Sequence, residues 1–206
     1  GVASKLLVVG CFALSRFFNY YDLNNLLFGD GSGACVVTQA EERRLPRILF
    51  HTGTVPSRAL SLETIYTESR NAMELYLERR DMSIAERPRP FMDGRLRLKI
   101  ALTKCKESME GALALAKNYG ISKSDIAHYV PHQTNIHVLR ALADFVEFPM
   151  ENIHVILTKY GGISTASIPA ALSEMNREGR LKKGDLILSS VYGAGFTHGA
   201  MIYEWG

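Results

Sequence analysis

Residues 126–146 read IAHYVPHQTNIHVLRALADFV. A short apolar strand over 126–130 runs through a polar turn into a helix over 135–146. The alternation continues with a strand over 153–157, a helix over 165–178, and strands over 186–192 and 198–204 that are separated by Gly193-Ala194-Gly195. Such a β-α-β-α-β run closed by two strands predicts a mostly parallel sheet with helices on its faces and an antiparallel last strand.

Upstream, Leu98, Leu102, Met109, Ala112, Leu113 and Ala116 recur at helical spacing and Gly120 follows as a stop, so 96–119 reads as the longest helix. Leu62, Ile65, Tyr66, Met73 and Leu77 give a weaker helical pattern over 62–79. The charged, proline-bearing stretch 80–90 reads as a loop, and 48–55 as a strand. At the start, KLLVVGC over 5–11 and ACVVTQ over 34–39 are β-branched apolar runs, the second preceded by Gly29-Asp30-Gly31-Ser32-Gly33. These two strands make only a pair, apolar on both faces, which calls for a companion to cover it.

The 206 residues are 47% hydrophobic and 22% charged, enough apolar material for one or two globular domains and too little charge for a disordered tail. A net charge of +3 is spread among acidic residues, which argues against nucleic acid as a partner. No apolar run is long enough to span a bilayer. Cys11, Cys35 and Cys105 have no CxxC spacing and fit reduced thiols of a cytoplasmic protein, with no disulfide and no metal site. The glycines of 29–33 are not followed by Gly-Lys-Ser/Thr and lead into a strand, which excludes a nucleotide P-loop. Gly1-Val2-Ala3-Ser4 enters the first strand with no initiator Met, so the pattern reads as one that begins inside a larger unit.

Four segments, in this order, carry a resemblance: FGDGSGA over 28–34, VPHQTN over 130–135, YGGISTASIP over 160–169 and YGAGFTHG over 192–199, with Met92-Asp93-Gly94 as a further feature. Together they resemble the ketoacyl-synthase III family, which initiates fatty-acid synthesis, and its thiolase-fold relatives. The resemblance implies an α/β thiolase-like fold of two similar halves, each a mixed five-stranded sheet with helices. Residues 1–40 would be the end of the N-terminal half, its last two strands, and residues 41–206 the complete C-terminal half.

The family uses a Cys nucleophile on a buried helix of the first half, a His in a PHQ-like motif and an Asn in a YGN-like motif. The thiolate takes an acyl group from a thioester, and His and Asn stabilise the enolate oxygen formed as a malonyl thioester loses carbon dioxide. The resemblance carries the histidine onto His132, as base or oxyanion donor, and an oxyanion-hole backbone N–H onto Ala194. Gly162 stands where the family has Asn. Asn135 would support the site, or simply cap its helix. His198, where many members have Trp, would be a second polar group near the cleft or a plain strand residue. His137 and Arg140 fall on the helix expected at the coenzyme A and carrier-protein entrance. Asp144 and Phe145 replace its usual lysines, with Arg95, Arg97 and Lys99 as an alternative basic patch.

The implied activity is acyl-thioester condensation or acyl transfer in fatty-acid or polyketide-type biosynthesis. Coenzyme A thioester is then a substrate, and no cofactor is tightly bound. The nucleophilic Cys is expected on an N-terminal Cys-bearing half, as a separate or cleaved chain, in a homodimer or heteromer that uses acyl-CoA and acyl carrier protein. Two alternatives follow from Gly162: acyl transfer to a hydroxyl or amine, or a non-catalytic partner in a thiolase-fold heteromer.

Overall fold

The computed structural model describes residues 4–13, 15, 26–39, 44–45, 48–57, 60–63, 89–92 and 94–206. Strands β1 (Lys5–Phe12) and β2 (Gly31–Thr38) pair antiparallel, Val8 opposite Cys35, as a two-stranded sheet of their own. Alternate residues of β2 are half-buried and exposed. Glycines bring the backbones of this pair close to the rest of the chain. A Cβ on Gly10 would fall 2.3 Å from the Thr165 carbonyl oxygen, and one on Gly33 2.8 Å from the Ala170 nitrogen. The outer apolar residues stay uncovered, Leu7 at 68% and Val36 at 64% exposure.

The main sheet runs in the order β3 (Leu49–Ser57), β8 (Gly195–Glu204), β7 (Leu186–Gly193), β6 (Ile126–Tyr129). Only β6 and β7 are parallel, while β7–β8 and β8–β3 are antiparallel. Strands β3, β6 and β7 therefore run in one direction and only the last strand, β8, runs against them, so the sheet is mixed with the antiparallel last strand that the sequence reading expects. Helix-bearing connections join β3 to β6 and β6 to β7, whereas β7 turns directly into β8, which lies between β7 and β3. Strand alternation sends Leu186 and Leu188 to one face and Ile187 to the other, so each face has its own core.

Helix α1 (Gly94–Lys117) lays Ala101, Cys105, Met109, Ala112 and Ala116 on the first face; mostly small residues at spacings of three and four let it approach closely. Helix α2 (Ile136–Phe145) adds Val138, Leu142 and Ala143, and burying each Val or Leu contributes about 1.5–3 kcal/mol. The other face is covered by α4 (Ser167–Arg177), through Ala171, Leu172 and Met175. That helix also packs on β2, so it lies between the two sheets. No helix among the described residues is long and apolar enough to cross a membrane.

Two expectations are corrected. Residues 153–157 form no strand: Ile153 ends a 3-10 turn and a short helix, α3 (Leu157–Tyr160), begins at Leu157. The side-chain amide of Gln133 takes the place of a ladder partner, donating to the His154 carbonyl at 2.7 Å and accepting from Ile156 N–H at 2.9 Å. The main sheet thus has four strands among the described residues, not five. The expected helix from residue 62 is replaced at its start by β4 (Leu60–Glu63), which pairs antiparallel with β5 (Arg89–Met92), itself placed where the loop was expected to end. The rest of that expectation, 64–88, lies outside the described residues.

Glu174 on α4 is buried and charged. Its carboxylate accepts from Lys159 Nζ, Tyr160 OH and His154 Nε2, and these donors, Lys159 foremost, hold its pKa down to about 2. His154, Glu174 and Glu178 bring three ligand-type atoms within 4.8 Å of one another, but Lys159 and Arg180 are bonded into the same cluster and neutralise it. A carboxyl depressed by folding contributes stability that is full above its unfolded pKa and lost as the pH falls toward 2. Glu174→Gln is expected to remove charge-assisted bonds worth about 2 kcal/mol and to lower Tm at pH 7 by roughly 4–8 °C. It should also flatten the loss of stability between about pH 4.5 and 2. Thermal melts across that range check this, and an unchanged acid limb contradicts it.

Candidate active site

The site begins where β6 ends. The parallel ladder continues past Tyr129: Val130 N–H donates to the Leu188 carbonyl at 2.8 Å and His132 N–H to the Ser190 carbonyl at 2.7 Å. Pro131 falls between them at the sheet edge, the position where a missing N–H costs no ladder bond. The backbone of His132 is thus fixed at the carboxyl end of a strand, where ligands of open α/β sheets bind.

Each remaining residue of the PHQTN motif has a task. Gln133, fully buried, clamps 154–156 as described above. The Thr134 hydroxyl bonds the hydroxyl of Tyr192. Asn135 is the N-cap of α2, its Oδ1 accepting from His137 N–H at 2.8 Å, so the plain capping reading accounts for that oxygen.

Two side chains hold the His132 ring among the described residues. Nδ1 lies 2.7 Å from Ser167 Oγ, at the start of α4. The Tyr192 ring meets it edge-on, centroids 5.5 Å apart at 72°, and is itself stacked on Phe196 at 5.5 Å and 10°. His132 then borders a cavity of about 880 Å³ between the two sheets, which Gly10, Cys35, Thr52, Ser164 and Ser167 also line.

The other expected site residues lie as follows. Ala194 is exposed in the turn between β7 and β8; its neighbours Gly193 and Thr197 line the cavity, and its carbonyl accepts from Thr197 Oγ1 at 3.2 Å. Gly162 is buried and does not line the cavity. Its N–H donates to the Leu27 carbonyl and its carbonyl accepts from Gly29 N–H, a parallel bridge to the segment before β2. Its followers Ser164 and Thr165 are the cavity-lining residues, and Ser164 sits there at φ 46°.

His198 borders the cavity, but its ring turns through the sheet to α1, where Nδ1 lies 2.7 Å from Ser108 Oγ. Gly53 opposite leaves room for it, since a Cβ there would fall 2.6 Å from Nε2. Burial lowers the His198 pKa, so it is neutral at pH 7. His137 and Arg140 are exposed on the outer face of α2 and do not line the cavity.

Burial pushes Cys105 up to about 12 and raises Cys35, the opposite of thiolate activation, while Cys11 is exposed at the end of β1. Sequence reasoning missed Ser167, Gln133 and Tyr192 as supports of His132, although all three stand inside or beside the quoted motifs.

Residues 115–205 match the model of the family 3-oxoacyl-[acyl-carrier-protein (ACP)] synthase III C terminal, and residues 1–56 that of 3-oxoacyl-[acyl-carrier-protein (ACP)] synthase III. The chain is 32% identical over 206 residues to β-ketoacyl-[acyl-carrier-protein] synthase III of Rhodobacter capsulatus, covering all of this chain and 60% of that protein. It is 36% identical over 208 residues to the protein of the same name from Microcystis aeruginosa, again 100% and 60%. The solved β-ketoacyl-[acyl carrier protein] synthase III of Thermus thermophilus superposes with a TM-score of 0.80 at 32% identity, over 100% of this chain and 60% of that one. The chain therefore spans about 60% of the length of the relatives it matches. Its two sheets flanking α4 are layers of a thiolase fold, and the chain belongs to the ketoacyl-synthase III-like branch of the thiolase superfamily.

Proposed function

We propose that this chain supplies the histidine-bearing part of an acyl-thioester condensing site of the ketoacyl-synthase III type. The observation that carries the reading is His132, fixed at the end of β6, held by Ser167 and facing a cavity between two sheets. A Cys thiolate from a segment outside these 206 residues attacks an acyl thioester and releases the free thiol. A malonyl thioester then loses carbon dioxide, and its enolate carbon attacks the acyl-enzyme carbonyl and expels the Cys thiolate. His132 stabilises the enolate oxygen, and the Ala194 backbone N–H serves the acyl carbonyl. Arg140, a cation, and His137, both exposed on α2, are the groups offered to a coenzyme A or carrier-protein donor.

A second reading, transfer of the acyl group to a hydroxyl or amine, is favoured by Gly162, which offers no side-chain donor to an enolate. The intact protein incubated with acyl-CoA or acyl carrier protein should gain the mass of one acyl group on a cysteine. Adding a malonyl thioester should then yield carbon dioxide and a β-ketoacyl thioester. Loading without carbon dioxide, with the acyl group passing to an added amine or alcohol, selects the second reading. Absence of any adduct with both donors overturns both.

A further inference from the structure

We propose that Ser167 is the positioning residue that sets the tautomer of His132, holding the proton of the neutral ring on Nε2 so that the side chain meets the reacting oxygen as a donor. The inference rests on the condensing-site reading for its consequence, but its observation is independent. Ser167 is buried at 1% exposure, and its Oγ has two neighbours among the described residues: His132 Nδ1 at 2.7 Å and the backbone N–H of Gln133, which donates to it at 3.4 Å.

The hydroxyl has one proton and two lone pairs, and it must place the proton somewhere. If Nδ1 carried the ring proton, Oγ would accept from both Nδ1–H and Gln133 N–H, and the serine O–H would be left buried without an acceptor, an arrangement native structures avoid. If the serine donates to Nδ1, every one of these groups is satisfied and the ring proton is on Nε2. The second arrangement is selected. It also decides between the two roles the sequence left open, because a neutral ring with Nε2–H is an oxyanion donor and has no lone pair at Nε2 to act as base.

The geometry is fixed on both sides. His132 is tied through its backbone to Ser190, and Ser167 is tied at the start of α4, where its N–H bonds the Ser164 carbonyl. Gln133 N–H orients the serine lone pairs, so the hydroxyl is aimed rather than free to turn.

The test is made on the intact protein labelled with nitrogen-15 at neutral pH. Long-range nitrogen–proton correlations report which ring nitrogen carries the proton, and His132→Gln assigns the signals. The unaltered protein is expected to show Nε2–H, Ser167→Thr to keep it, and Ser167→Ala to give a mixture of tautomers. Ser167→Ala should also lower kcat for decarboxylation by roughly tenfold with little change in KM, less than the roughly hundredfold or more of losing an oxyanion donor altogether, because the tautomer is freed and not reversed. A proton on Nδ1 in the unaltered protein, or pure Nε2–H persisting in Ser167→Ala, overturns the proposal. Should Ser167 govern the tautomer while His132→Gln leaves turnover unchanged, the condensing-site reading fails and the Ser167 assignment stands.

Discussion

Replacing His132 with alanine is expected to lower condensation by about a hundredfold or more in the intact protein. The magnitude follows from what is removed: one preorganised donor in a water-poor site is worth roughly 10²–10³ in rate. Among the described residues the ring bonds Ser167 and meets the Tyr192 ring. Its neighbours keep their own anchors, Tyr192 through Thr134 and Phe196, and Gln133 through His154 and Ile156, so the fold should lose only about 1 kcal/mol with the Ser167 bond. Acyl loading of the cysteine should fall less than carbon dioxide release, because the enolate forms only in the second step. Parallel measurement of acyl-adduct mass, carbon dioxide and melting temperature separates these effects. An unchanged condensation rate would make His132 a structural residue and leave the cavity without a catalytic group from this chain.

The position of His132 was legible in the sequence because it depends on local signals. A strand ends at Tyr129, a cap begins at Asn135, and the residues between must turn at the sheet's carboxyl edge. Helices α1, α2 and α4 were legible for the same reason, each carrying a stripe at spacing three and four. What holds the histidine was not legible, since Ser167 lies 35 positions away and becomes its neighbour only when α4 docks between the sheets. The failed strand over 153–157 has a similar cause. Its apolar residues are buried as expected, Ile153 and Ile156 among them, but a side-chain amide from Gln133 satisfies the backbone that periodicity assigned to a ladder. His198 shows the limit of alternation without register. Only its pairing opposite Tyr192 shows that the ring faces α1, not α4.

The largest gain is expected from Gly162→Asn, if the missing amide is what limits decarboxylation. The structure removes the main objection to the substitution. The left-handed turn is made by Gly161 at φ 68°, and Gly162 itself lies outside the region that disfavours a side chain. A Cβ at Gly162 would meet the Leu27 carbonyl oxygen at 3.1 Å and Phe28 Cδ1 at 3.7 Å, so the segment before β2 need yield only a few tenths of an ångström. The bridge to Leu27 and Gly29 uses the backbone alone and survives the change. If the amide reaches from this buried position into the cavity, it adds a side-chain donor worth about 3–4 kcal/mol, and carbon dioxide release from a malonyl thioester should rise by roughly a hundredfold. Acyl loading, which forms no enolate, should not change. The contrast between the two steps is the measurement, since a variant that merely misfolds lowers both. Fast release by the unaltered protein with no gain in Gly162→Asn would show that another group near His132 already serves the enolate. The Ser164 hydroxyl, on the cavity wall two residues on, is then the first to replace with alanine.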